Sequence, residues 1–228
     1  MRIIFVRHGH PDYAKDTLTP LGNLQAEAVA ERLRDEKIDQ FHASSCGRAH
    51  ETALHVAKLF GMEVTTHDFM REIGWGAKEG EEELVGGGQP WSVSAQMVSC
   101  GESIMDSQWQ QSKAFSNNRV TDFVTRAAEN FDAWLSTFGY NREGDYYRVM
   151  EDNGSTVLMA SHAGSSSAVL SHLFNLPFSF VCAAMPPNFT SVTIVSINGE
   201  AGALVTPKFE VFNDWRHIRG LEAKIVYE

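Results

Sequence analysis

The chain has 228 residues, 43% of them hydrophobic and 21% charged, with a formal net charge of -10 at pH 7. That apolar share supports a substantial core, whereas the acidic balance argues against nucleic acid, whose backbone is held by clustered Lys and Arg. No run of about 18 apolar residues is present to cross a membrane, and residues 1–7 are too short and too soon charged for a secretory signal, so no membrane contact and a cytoplasmic location are expected.

Arg2-Ile3-Ile4-Phe5-Val6 is a continuous apolar run rich in β-branched and aromatic residues, the pattern of a strand buried in a parallel or mixed sheet. The segment Arg7-His8-Gly9-His10-Pro11-Asp12 leaves its end. Thr19-Pro20 reads as an N-cap followed by a first-turn proline, and Leu21, Leu24, Ala28 and Leu33 recur at helical spacing. Residues 38–44 form a second expected strand, 48–60 a second helix that stops at Gly61, and 62–66 a third short strand. Repeated strand-then-helix order implies an α/β fold, a three-layer sandwich in which a mixed, mostly parallel sheet is flanked by helices.

From 79 to 118 the periodicity is lost. Glu79-Gly80-Glu81-Glu82-Glu83 precedes Gly86-Gly87-Gly88, and Trp91, Met97, Ile104, Met105, Trp109 and Phe115 are scattered among polar residues. This reads as a partly helical lid or cap inserted into one domain spanning 1–228, its tryptophans and methionines more often local core than substrate contacts. Helical spacing returns over 119–138, and residues 156–160 make another apolar strand that ends in Ser161-His162-Ala163-Gly164. A helix follows through Val169 and Leu173, and residues 191–197 and 203–212 read as closing strands joined by a turn at Asn198-Gly199. Cys46, Cys100 and Cys182 are too few and too widely spaced for a disulfide framework or a metal knuckle.

Two of these strands share one logic: each ends in a histidine followed by small residues, at His8-Gly9 and at His162-Ala163-Gly164. Strand ends in open α/β sheets are where ligands sit, small residues let a ligand approach the backbone, and a following helix N-terminus favours an anion. Arg48 begins the helix after the second strand, where a cation opposes the dipole unless an anion joins it, and its planar fork suits phosphate. His8 and His10 also alternate as a metal pair would, but a third ligand is missing and Pro11 fixes the loop, so this is the minor reading.

Together, Arg7-His8-Gly9, Arg48-Ala49-His50-Glu51-Thr52-Ala53 and Ser161-His162-Ala163-Gly164 resemble, in order and separation, the histidine phosphatase superfamily in its phosphoglycerate-mutase-like branch. The resemblance implies that His8 is the nucleophile toward phosphorus and that Arg7, Arg48 and His162, the last as an imidazolium, hold the phosphoryl oxygens. The segment Met70-Arg71-Glu72-Ile73, with Gly76 and Glu79-Gly80 after it, resembles the one that carries the proton donor, which points to Glu72, with Glu79 the next candidate. The implied activity is hydrolysis of a small phosphorylated metabolite through a phosphohistidine, with no metal or other cofactor. His10-Pro11-Asp12 stands where many members carry Glu or Gln, then Thr, with an Asn farther on, so the polar phosphate contact usually made by that loop does not carry over from the resemblance. Two other readings stay open: a phosphoglycerate-type mutase, whose Arg-rich, Tyr-containing stretch residues 79–88 do not resemble, and a non-catalytic binder of phosphorylated ligands. A homo-oligomer is likewise left open.

Overall fold

The computed structural model describes residues 1–80 and 83–223. The chain begins with strand β1 (Arg2–Arg7), a short hairpin of β2 (Pro11–Asp12) and β3 (Thr17–Leu18), and helix α1 (Pro20–Arg32). Strand β4 (Gln40–Ser44), helix α2 (Gly47–Phe60) and strand β5 (Val64–His67) follow, then helices α3 (Pro90–Ser99) and α4 (Val120–Ser136). After the hairpin of β6 (Tyr140–Glu143) and β7 (Tyr146–Val149) come β8 (Thr156–Ser161), α5 (Ala163–Leu173), α6 (Phe178–Ala184), β9 (Val192–Ser196), β10 (Leu204–Val205) and β11 (Lys208–Asp214).

Among the described residues, one sheet has six strands in the order β11-β9-β1-β8-β4-β5. The pairs β1–β8, β8–β4 and β4–β5 are parallel, whereas β9 and β11 join antiparallel, which gives the mixed, mostly parallel sheet expected. Strand pleating divides the core in two. Ile3 and Phe5 of β1, with Val157 and Met159 of β8, face Phe131, Leu135, Val169 and Leu173 of α4 and α5. Ile4 and Val6, with Leu158 and Ala160, face Val29 of α1, Leu33 just after it, and Ala53 and Val56 of α2. A strand buried on both faces must be apolar throughout, which is why β1 and β8 carry continuous runs rather than an alternation. Fully burying one such aliphatic or aromatic side chain is worth about 1.5–3 kcal/mol.

The helix signals act as expected. Thr19 caps α1, its Oγ1 accepting from Gly22 N at 3.0 Å with Pro20 in the first turn, and α2 ends at Gly61 with φ 65°. Among the described residues of 79–118, α3 forms, and Trp91, Met97, Trp109 and Phe115 are buried in a third cluster with Ile73, Phe178 and Cys182, packed against α4, α5 and α6. Glu81 and Glu82 lie outside the described residues.

One expectation about strands needs correction. Residues 203–212 are not one strand hairpinned to 191–197. β10 leaves to pair with β7, and β11 is the segment that pairs with β9. Gly199 leaves room at this crossing, since a Cβ there would lie 2.5 Å from Val205 Cγ1 and 3.3 Å from Val149 Cγ2 of the β6–β7 hairpin. That hairpin was also missed. Tyr140, Tyr147 and Val149 are its buried positions, alternating with Asn141, Arg142, Glu143, Tyr146 and Arg148, and Glu143-Gly144-Asp145 contains the glycine of its turn (φ 60°). No helix of the described residues is long and apolar enough to cross a membrane.

Candidate active site

β1 and β8 are adjacent and parallel, in register from Arg2 with Thr156 to Arg7 with Ser161, so the residues that follow them emerge side by side. His8 N donates to Ser161 O at 2.9 Å, and the rings of His8 and His162 meet edge to face with centroids 5.0 Å apart. Residues 154 positions apart in the chain are thereby brought together by one register. Ser44, at the end of the next strand, lies 2.9 Å from His162 Nε2 through its Oγ.

The hydrogen bonds of His8 set its tautomer. Nδ1 lies 2.7 Å from the carbonyl oxygen of Gly9, an acceptor, so Nδ1 carries the proton and Nε2 keeps its lone pair. Burial, and then the nearby Arg7 guanidinium, push the His8 pKa well below its ordinary value. The imidazole is therefore neutral at pH 7, with a nucleophilic nitrogen facing the pocket.

Arg7 is buried; its Nη1 donates to Pro187 O at 2.7 Å and its guanidinium lies 4.1 Å from the centroid of the Phe189 ring. Arg48, also buried, directs Nε toward His8 Nε2 at 3.4 Å. Thr52 locks the two elements together by accepting from Gly9 N at 3.1 Å and donating to Arg48 O at 2.8 Å. The anion that offsets the helix-start position of Arg48 is present in the chain itself: Asp16 Oδ1 is 2.5 Å from Arg48 Nη1.

Glu72 enters from the loop after β5. Its Oε1 accepts from Ile73 N at 3.0 Å and from Ser165 N, in the first turn of α5, at 3.1 Å. The residue keeps part of its surface open, yet it is enclosed deeply enough that burial raises its carboxyl pKa, outweighing those hydrogen bonds and the charges of Arg7 and Arg48. Burial, and then Glu72, push the Cys182 thiol pKa up.

The structure thus gathers Arg7, His8, Arg48, Glu72 and His162 at one end of the sheet, whereas Glu79 is exposed and donates its backbone N–H to Asn117 instead. Burial, then the fields of His8, Arg48 and Arg7, hold the His162 pKa well below its ordinary value, so these groups by themselves favour the neutral ring. Asp16, Ser44 and Phe189 were not singled out from the sequence. Ser44 had a signal in its strand-end position, but Asp16 and Phe189 had none, because a loop and a helix-to-strand connection bring them in from elsewhere.

With this geometry in place, residues 3–209 match the family model described as histidine phosphatase superfamily (branch 1). The chain belongs to the histidine phosphatase superfamily. Among curated members similar to it are a Hydrogenobacter thermophilus protein named "Putative phosphoserine phosphatase 2", 30% identical over 89 residues that are 35% of this chain and 44% of that protein. A "Probable phosphoglycerate mutase GpmB" of Yersinia enterocolitica is 31% identical over 88 residues, 35% of this chain and 41% of the mutase. These matches span less than half the length of either relative. The fold is shared over nearly the whole chain with a mutant of Entamoeba histolytica phosphoserine phosphatase in complex with phosphoserine (TM-score 0.63, 19% identity, 96% of this chain and 99% of that one). It is shared as well with mycobacterial glucosyl-3-phosphoglycerate phosphatase (TM-score 0.62, 22% identity, 93% and 98%).

Proposed function

We propose that this member of the histidine phosphatase superfamily is a metal-independent phosphomonoesterase that hydrolyses a small phosphorylated metabolite through a phosphohistidine on His8. The observation that carries the reading is the pairing of a neutral His8, its Nε2 lone pair held beside Arg48, with a carboxyl at Glu72 whose pKa is raised. A nucleophile and a proton donor with opposed pKa shifts in one pocket are what two-step phosphoryl transfer needs.

In the first step His8 Nε2 bonds to phosphorus as the bond to the ester oxygen breaks. That oxygen takes the proton of Glu72 and departs as an alcohol. Arg7 and Arg48 carry the charge on the non-bridging oxygens, where positioning and charge stabilisation account for most of the rate. A phosphate dianion beside His162 favours the charged imidazole, so bound substrate offsets the burial that otherwise lowers its pKa. In the second step water attacks phosphorus, Glu72 takes its proton, and the bond to His8 Nε2 breaks with release of inorganic phosphate.

Rapid quench of the protein with a labelled phosphomonoester tests the reading. An acid-labile, base-stable phosphoryl group on His8 is expected. An acid-stable adduct on another residue, or no turnover of any phosphomonoester in a metabolite panel, overturns it.

A further inference from the structure

We infer that Asp16 is a positioning residue for the reaction, holding the Arg48 guanidinium in the orientation that meets the phosphoryl group; this rests on the reading of Arg48 as a phosphate ligand given above. The residue lies in the loop between β2 and β3, downstream of the point where the chain departs from its family's pattern at His10-Pro11-Asp12.

The N-terminus of α2 has no cap of its own, since Cys46, the residue at that position, makes no side-chain hydrogen bond there. Asp16 does that work from outside the helix. Its Oδ2 accepts from Gly47 N at 2.7 Å and its Oδ1 from Arg48 Nη1 at 2.5 Å, so one carboxylate joins the first helical amide to the guanidinium that follows it. A carboxylate at a helix N-terminus is favoured by the dipole, and a charge-assisted bond to arginine is among the stronger ones available.

The backbone is shaped for this contact. Asp16 has φ 54°, in the left-handed region that a non-glycine residue seldom occupies, and a Cβ at position 47 would lie only 2.2 Å from Asp16 O. Glycine at 47 is therefore what lets the loop approach. The same loop is braced on α2 a second time, where Glu51 Oε2 accepts from Leu18 N at 2.7 Å.

The consequence reaches the nucleophile. With Nη1 tied to Asp16, the Nε of Arg48 is turned to His8 Nε2 at 3.4 Å. The phosphoryl group must come within bonding distance of that nitrogen, so the Nε edge of the guanidinium is the one it meets. The Asp16 side chain is 42% exposed, at the rim of the pocket, while Arg48 is 10% exposed and points inward. The Arg48 guanidinium also lies over the Tyr13 ring, its Cζ 5.3 Å from the ring centroid. An untethered arginine would spread over many rotamers and meet the transition state in few of them.

The test uses the whole chain with Asp16→Ala, Asp16→Asn and Gly47→Ala. Calorimetric titrations with vanadate, which mimics the five-coordinate transition state, and with inorganic phosphate are combined with kcat and KM on p-nitrophenyl phosphate. Misplacement of a contacting group by about 1 Å costs up to about 100-fold, so Asp16→Ala is expected to weaken vanadate about 10- to 100-fold, and phosphate less, with kcat falling more than KM rises. Asp16→Asn keeps one acceptor oxygen and should recover part of the loss. Gly47→Ala, which pushes away the loop that carries Asp16 while leaving the residue itself in place, should reproduce it. Unchanged vanadate affinity in folded Asp16→Ala overturns the inference, as does tighter binding of both anions, which would make Asp16 a competitor of phosphate. Failure of the wild-type chain to bind either anion removes the phosphate-site reading itself, and so is distinguishable from failure of the variants to differ.

Discussion

Gly164 leaves the space that Glu72 occupies: a Cβ at position 164 would lie 2.6 Å from Glu72 Oε1 and 2.4 Å from Ile73 Cγ1. Position 164 is in the first turn of α5, where alanine would otherwise favour the helix by up to about 1 kcal/mol. Gly164→Ala is accordingly expected to act on Glu72 rather than on the helix. Pre-steady-state bursts should slow more for an alkyl phosphate than for p-nitrophenyl phosphate, whose leaving group departs without a proton. Equal slowing of both esters would show that the displaced group is not the donor.

Glu72→Gln tests the same role directly. General acid catalysis is worth about 10²–10⁴-fold, and the burst rate with alkyl phosphates should fall by that order, while the nitrophenyl burst persists and is followed by slow turnover. Proportional losses in both bursts would transfer the role to another residue.

The pH profile of kcat/KM follows from the two shifts. His8 must be neutral, and its pKa is held well below the ordinary value, so the acid limb should lie well below pH 6.5. Glu72 must be protonated for the first step, and its pKa is raised, so the rate should fall as pH rises through that pKa, and this limb should vanish in Glu72→Gln. A profile whose alkaline limb survives in the variant contradicts the assignment.

Activity should survive EDTA, because Arg7, Arg48 and His162 are assigned the charge on the phosphoryl oxygens, whereas His8→Ala should abolish turnover. Chelator-sensitive turnover, or wild-type rates in His8→Ala, would overturn the mechanism.

Away from the site, His42 and His67 stand 2.6 Å apart between Nδ1 and Nε2 with stacked rings. Burial, with a smaller contribution from His67, lowers the His42 pKa to about 4 from 6.5. Between these values the unfolded chain binds more protons than the folded one, so stability is full above pH 6.5 and declines as pH falls toward 4. The unfolding temperature should drop over that window, and His42→Gln should flatten the drop.

Trp109 is 4% exposed and packs on Phe115 and Phe178 with ring centroids 5.1 and 5.3 Å away. Trp109→Ala should cost about 3–5 kcal/mol, with little change in the ranking of substrates. A change of ranking without loss of stability would instead favour the lid reading of 79–118.

Local chemistry was enough for much of this protein. The apolar run 3–6 of β1 has to be buried on both faces, Thr19-Pro20 has to begin a helix, and a histidine after each of two such strands has to stand at a sheet end. Those constraints act between neighbours in the chain, so composition and period carry them. Glu72 was legible only through family resemblance, because its raised pKa comes from burial beneath α5 and not from the acidic residues around it. Other features depend on contacts between distant segments. The neutrality of His162 arises from burial and the fields of His8, Arg48 and Arg7. The pairing of β10 with β7 rather than β9 joins segments that lie far apart in the chain. The tether from Asp16 to Arg48 requires a loop to fold across 32 residues onto a helix start. A short polar loop has no hydrophobic period, so where its carboxylate lands is settled by the packing around it.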